Sequence, residues 1–252
     1  MSTRTIVIAL PALGLLAATS LVLQEDKTWD VHDMDRPQPT VVTAGTPSCA
    51  GQAGSAPSDA IVLFDGKNLD HWRSGNGPAG WTVANGIATV KGGDIQTNEE
   101  FGDVQLHLEW RIPADRKTSG QAGGNSGVFF HNQYEVQILN AFENDTYPDG
   151  TAGSFYGQHP PLVNPCRPKG EWNVYDIVFH APVWKDGALA EPARATVFFN
   201  GVLVQDNQAF WGSTAHMRRA TYGAPHGPGP IRIQDHGDPI EFQNIWVRRL
   251  DG

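Results

Sequence analysis

The run from Asn125 to Pro161, NSGVFFHNQYEVQILNAFENDTYPDGTAGSFYGQHPP, sets ionisable and amide side chains at strand spacing beside a long polar loop. In Tyr134-Glu135-Val136-Gln137-Ile138 the apolar residues take alternate positions. A strand there turns Tyr134, Val136 and Ile138 to one face and Glu135 and Gln137 to the other. A carboxylate and an amide then project side by side. Such a carboxylate can move a proton and such an amide can bond hydroxyl groups, which is the chemistry of a carbohydrate site. The same alternation also describes an ordinary solvated sheet face.

Glu135 is the first candidate for a general base. His236, within Gln234-Asp235-His236-Gly237, is the candidate acid or electrophilic contact, because imidazole exchanges a proton near neutrality. Asp235 could orient that ring only across a turn, since neighbours in a strand point apart. Candidate substrate contacts are Glu109, Asn125, Gln137, Tyr156, Gln158, Asp176, Gln234 and Asp235. Tyr156 and Gln158 sit in the loop from Asn140 to Pro161, which exceeds an ordinary hairpin connection and reads as a structured rim. Trp211, in a less regular stretch, is a further candidate sugar platform, whereas Trp72, Trp81, Trp110, Trp172 and Trp246 read as core. A conventional glycosidase pair could be drawn from Glu135 with Asp176 or Glu109. Glu109, Glu135, His131 and His236 are also of ligand types suited to a divalent metal ion, but no compact motif such as HExxH assigns them.

The elements that must hold these groups are strands. Val104 to Arg111 alternates Val104, Leu106, Leu108 and Trp110 with Gln105, His107, Glu109 and Arg111. Val174 to His180, Ile231 to Ile233 and Glu241 to Val247 supply further strands. Asn85-Gly86 and Asn200-Gly201 each separate two apolar segments, a hairpin signal because both residue types accept positive φ. No long amphipathic helix and no internal repeat stands out. Strands at this spacing predict two packed antiparallel sheets.

Composition narrows the partners. With 18 Lys and Arg against 27 Asp and Glu among 252 residues, the formal charge of -9 argues against a nucleic-acid surface, and neutral sugars fit better. Arg4 followed by the apolar Thr5 to Leu23 reads as a secretory signal or a retained membrane anchor over residues 1–23. This predicts a protein exported to the periplasm or the exterior, with membrane contact through that segment alone. Residues 24–58, rich in Pro, Gly, Ser, Thr and Asp, read as a flexible linker, and residues 59–252 as the folded domain. Cys49 and Cys166 could bridge in an oxidising compartment or remain free thiols.

Several of these segments together carry a resemblance. Leu63-Phe64-Asp65-Gly66-Lys67-Asn68-Leu69, His71-Trp72, the block from Asn125 to Pro161, Gly170-Glu171-Trp172, Asn200-Gly201-Val202, Gln234-Asp235-His236-Gly237 and Asn244-Ile245-Trp246 resemble, in this order, the 3-keto-disaccharide hydrolase family. The resemblance implies an all-β, concanavalin A-like two-sheet sandwich. It also implies cleavage of glycosides already oxidised at C3. On such a fold Glu109, Glu135, Gln137, Asp176, Arg232, Gln234 and His236 would line one concave surface. A C3 ketone acidifies the C2 hydrogen, so a base at Glu135 would start an elimination that expels the C1 substituent, with hydration following. The alternative from the same fold is a noncatalytic, lectin-like binding or scaffold domain.

Overall fold

The structure is a computed structural model and describes residues 29–46, 48–49 and 52–250. The segment 1–23, read as an export signal or anchor, lies outside the described residues. Among those described, no helix is long and apolar enough to cross a membrane. The described residues divide after Val41 into two units. The described part of the first, residues 29–41, is turns and irregular chain.

The second unit is a sandwich of two antiparallel sheets. The larger, eight-stranded sheet runs in the order Val202–Ala209, Arg194–Phe199, Asn173–His180, Val104–Arg111, Glu241–Arg249, Ile87–Thr89 and Thr82–Ala84, with Ile61–Phe64 also paired to Glu241–Arg249. The six-stranded sheet runs Gly77–Pro78, Trp72–Ser74, Ile95–Thr97, Ile231–Ile233, Ser126–Phe130 and Tyr134–Ile138. The two Asn-Gly turns form as their chemistry demands: Asn85 and Gly86 take φ of 53° and 80°, and Asn200 and Gly201 take 51° and 78°.

The inward faces fill the space between the sheets. Phe130 of the smaller sheet stacks on Phe179 of the larger with ring centroids 4.3 Å apart, and Trp110 packs edge-on to Tyr175 at 5.5 Å. Each such buried aromatic side chain contributes about 2–3 kcal/mol through removal from water. Tyr175 also donates its hydroxyl to the Gln137 carbonyl at 2.7 Å, tying the strand that carries Gln137 to the opposite sheet.

Two features depart from the sequence reading. Tyr134–Ile138 is buried on both faces, so its polar face is not a solvated one. The loop from Asn140 to Pro161 folds back over its free edge. Gln137 donates its backbone N–H to Ser154 and accepts one from Gly153, both at 3.0 Å, and Phe155 bridges Val136. The second departure concerns residues 24–58, read as linker, whose stretch after Val42 is pinned. Thr46 and Ser55 exchange backbone hydrogen bonds of 3.0 and 3.1 Å, and Ser58 Oγ accepts the Thr43 N–H at 2.8 Å. Turn-forming composition supplied those bonds as readily as it would have supplied disorder.

Candidate active site

Two neighbouring rows across the six-stranded sheet make the floor of a cavity. In one row Arg232 pairs with Phe129 and Phe129 with Glu135. In the next, Gly127 pairs with Gln137 and accepts the Gln234 N–H at 3.0 Å. Side chains two residues apart on a strand share a face, so Glu135 and Gln137 rise together, as do Arg232 and Gln234. The cavity encloses about 240 Å³ and is lined by Asn125, Phe129, Glu135, Gln137, Tyr156, Thr214, His216, Gln234 and His236. That volume is room for roughly eight waters, the scale of one monosaccharide ring.

Gly127 makes room for the carboxyl. A Cβ at that position would lie 2.3 Å from Glu135 Oε1. The glycine therefore lets the Glu135 side chain lie across the neighbouring strand, where any other residue would push it away.

Glu135 is 4% exposed, and burial pushes its pKa up to about 8, the Arg232 charge opposing that rise and Asp94 adding to it. Arg232 does not neutralise it. The guanidinium is bound to Asp94 and lies over the Phe129 ring at 3.7 Å. The close partner of Glu135 is the Gln137 amide, 2.9 Å from Oε1. A neutral Glu135 donates its proton to the amide oxygen. An ionised one is met by the amide nitrogen after a half-turn of that group, and the same nitrogen then reaches the Ser126 carbonyl at 3.0 Å. The Gln137 amide thus serves either protonation state, as a base that must gain and lose a proton requires.

The walls come from loops. The Glu135 backbone N–H donates to Thr214 Oγ1 at 3.1 Å, and Thr214 donates its own N–H to the Gln133 carbonyl at 2.7 Å, which seats the segment carrying His216 beside the base. Tyr156 shares hydrogen bonds with Tyr147 at 2.9 Å and with His216 Nδ1 at 2.8 Å. Burial first, then the Tyr147 bond, raises the Tyr156 pKa, so the phenol keeps its proton. His236 stands exposed on the rim, with no hydrogen-bond partner among the described residues.

Of the residues singled out in the sequence, Glu135, His236, Asn125, Gln137, Tyr156 and Gln234 meet in this cavity. The others do not. Asp235 turns away from His236 and accepts the N–H groups of Gly93 at 2.7 Å and Gly237 at 2.8 Å. Gln158 is buried, accepting from the Trp211 N–H at 2.7 Å and donating to the Gly212 carbonyl at 3.2 Å, so it braces the loop. His131 packs in the core against Phe179, Tyr134 and His226, and burial, followed by the His226 charge, lowers its pKa to about 4. Cys49 and Cys166 are free thiols.

Glu109 and Asp176 lie on the other sheet. There His107 Nδ1 meets Asp176 at 2.7 Å and its Nε2 meets Glu109 at 3.3 Å, while the ring stacks on Trp246 at 4.9 Å. Glu109, 1% exposed, also accepts from Gln243 at 2.6 Å, from Asn244 at 2.8 Å and from the Ser48 hydroxyl. A β-bulge with Asn244 at φ 45° aims both amides at one carboxylate. Neither Glu109 nor Asp176 can pair with Glu135 as a glycosidase dyad or share a metal with it. Among the described residues no group of three or more His, Cys, Asp or Glu side chains is placed to hold a metal ion.

His216 and Thr214 escaped the sequence reading. Their segment, Gly212-Ser213-Thr214-Ala215-His216-Met217, has no apolar period to place it, and only its contact with the Tyr134 strand gives it a role.

Comparison with known proteins gives a consistent picture. The profile of a family described as 3-keto-alpha-glucoside-1,2-lyase-like domain matches residues 59–248. A Bacteroides thetaiotaomicron protein named 3-keto-disaccharide hydrolase is 28% identical over 240 residues, covering 76% of this chain and 78% of its own length. A crystallised Parabacteroides distasonis protein, provisionally assigned as a glycosyl hydrolase, is 44% identical with a TM-score of 0.82, covering 87% of this chain and 97% of the other. A second crystallised protein from that organism with the same provisional assignment shares the fold at a TM-score of 0.54 and 22% identity, over 76% of this chain and 94% of its own.

Proposed function

The chain belongs to the 3-keto-alpha-glucoside-1,2-lyase-like domain family, among glycoside-cleaving enzymes, and from that premise we propose that it cleaves glycosides whose sugar is already oxidised to a ketone at C3. The observation that carries this reading is Glu135: a solitary buried carboxyl with a pKa near 8, at the floor of a cavity the size of one sugar and ringed by amides and imidazoles. It is the one carboxylate among the residues lining that cavity. Hydrolysis of an ordinary glycoside asks for two carboxyl groups flanking the bond. Proton abstraction beside a ketone asks for one strong base, donors to the enolate oxygen and an acid for the departing oxygen.

The steps balance with the residues in place. Ionised Glu135 takes the C2 proton, and the electron pair moves onto the C3 oxygen as an enolate held by the Gln234 amide, with His236 at the rim. The enolate re-forms the ketone as the C1–O bond breaks, leaving a C1–C2 double bond. The leaving oxygen takes a proton from His216. Water then adds across the unsaturated ketone, its hydroxyl to C1 and its proton to C2, while Glu135 gives the abstracted proton up to solvent and His216 regains one from it, giving net hydrolysis to the free 3-keto sugar with both residues restored.

The test is incubation of the purified protein with a 3-keto-disaccharide and, in parallel, its unoxidised parent. Release of monosaccharide or of the unsaturated ketone from the oxidised substrate alone is the expected outcome. Binding of both sugars without turnover of either would establish a lectin instead. Deuterium at C2 should exchange with solvent during the reaction, and retention of that deuterium in the product would exclude the elimination route.

Export belongs to the same proposal. Its support is Arg4 and the apolar stretch that follows it. Cell fractionation with N-terminal sequencing checks it; an intact chain confined to the cytoplasm would sink it.

A further inference from the structure

A second cavity of about 580 Å³ opens beside the first, lined by Tyr147, Asp149, Tyr156, Gly157, Trp211, Ala215, His216, Met217, Arg218 and Arg219. Tyr156 and His216 belong to both linings. The proposed proton donor to the leaving oxygen therefore stands at the junction, with the base on one side and the larger space on the other. A glycosidic bond broken at that junction places its sugar ring over Glu135 and its aglycone in the second cavity.

The walls of that cavity are aromatic and cationic. Trp211 is 38% exposed and Tyr147 43%, and the Arg219 guanidinium lies over the indole of Trp211 at 4.3 Å. Elsewhere in the sandwich, Arg111, Arg116, Arg232, Arg248 and Arg249 each bind a carboxylate. Arg73, Arg167 and Arg194 instead donate to backbone carbonyls, whereas Arg218 and Arg219 have neither kind of side-chain hydrogen bond among the described residues, although the protein as a whole is acidic. Asp149 is the one carboxylate in this lining, so two cations face one anion. An arginine held flat by an indole presents its N–H edge in the fork geometry that suits a carboxylate.

We propose that this second cavity is the aglycone subsite and that it selects leaving groups that are aromatic and carry a carboxylate. The proposal rests on the reading of Glu135 as base for the side of the bond it assigns, but binding tests it independently. The probes are two 3-keto-glucosides, one of 4-hydroxybenzoate and one of 4-hydroxybenzamide, which match in ring and shape and differ in charge. Calorimetric titration of both into the Glu135→Gln chain reads affinity without turnover, and kcat/KM on the natural chain reads selection during reaction. The carboxylate should bind roughly three- to ten-fold more tightly, and both Arg219→Gln and Trp211→Ala should bring the affinity ratio close to one. Equal affinity for the two probes in the parent chain, or a preference that survives both substitutions, would overturn the subsite. Charge-selective binding without turnover by the natural chain would leave the subsite standing and remove the elimination reading.

Discussion

The two sheets each bury a glutamate on the face away from the core, and the two are opposites in chemistry. Glu109 is saturated. Burial alone would raise its pKa, but hydrogen bonds from His107, Ser48, Asn244 and Gln243 overcome that cost and hold it below the usual carboxylate range. Glu135, equally hidden, has one amide for company, and its pKa rises to about 8. Both stand at alternating positions in well-formed strands, so the difference lies in what the rest of the chain sends to meet them. A carboxylate given every partner it can take is a fastening, and one left hungry is a reagent.

The widest separation comes from the same substitution at each site. Glu135→Gln keeps the shape and the bond to Gln137 while removing the base. Turnover of a 3-keto-glycoside should fall by about a thousand-fold with the thermal midpoint unchanged or higher. Glu109→Gln turns an acceptor into a donor among groups that all donate. It should cost about 3 kcal/mol in urea unfolding and leave the specific activity of the folded fraction intact. If Glu109→Gln silenced the enzyme without loosening it, or Glu135→Gln loosened it without silencing it, the two labels would have to be exchanged.

A subtler break leaves Glu135 in place and moves it. With a Cβ 2.3 Å from Oε1, Gly127→Ala must displace the carboxyl by an ångström or more. Displacement on that scale costs roughly a hundred-fold in kcat. Steady-state kinetics with a crystal structure of the variant would check it. Full activity with a displaced carboxyl would mean that the geometry at C2 is not what limits the rate.

Acidity separates the clusters next, and the signs differ. Below about pH 8 the free base is the minor form of Glu135, so kcat/KM should climb about ten-fold per unit from pH 6 and level off near pH 8. The folded chain also keeps a proton on Glu135 that the unfolded chain releases above about 4.5, so this group subtracts stability as pH rises from 4.5 to 8. Glu135→Gln should then gain thermal midpoint over the parent progressively across that range. In the other cluster burial would lower His107, but Asp176 and Glu109 raise it to about 9. Its contribution is complete below about 6.5 and fades as pH rises through 9, while that of Glu109, whose pKa is lowered, is present above about 4.5 and fades on acidification. A rate profile that is flat from pH 6 to 8 would separate Glu135 from the chemistry.

Much of the framework was legible before any coordinates. Asn-Gly pairs fix φ locally, and period-two alternation marks Val104–Arg111 and Tyr134–Ile138 whatever surrounds them, so strands, hairpins and the common face of Glu135 and Gln137 follow from neighbours in sequence. Sheet membership does not. Whether Glu109 faces Glu135 depends on Val104–Arg111 lying between Asn173–His180 and Glu241–Arg249, a pairing between segments far apart in the chain. Burial of the Glu135 face is equally non-local, since it depends on Thr214 and Tyr156 arriving from loops. His216 shows the limit most sharply: a histidine in aperiodic sequence acquires meaning only when Tyr156 is found beside it.

The smallest expected effect probes how the fastening is covered. Ser48 donates its hydroxyl to Glu109 and accepts the Gly54 N–H at 2.5 Å, so one side chain joins the segment after Val42 to the buried cluster. Ser48→Ala removes one of several donors and leaves Glu109 with His107, Gln243 and Asn244, so the loss should be about 1 kcal/mol. The Gly54 N–H, by contrast, loses its side-chain acceptor. Amide hydrogen exchange should accordingly quicken at Gly54 and Ser55 well before the strands Val104–Arg111 and Asn173–His180 are affected. Faster exchange spread evenly through those strands would mean that the segment is part of the sheet's own cooperative unit. Exchange confined to residues 43–58 would mean that Glu109 anchors a cover whose removal costs the sandwich little, the reverse of the Glu135 site, where the covering loops create the chemistry.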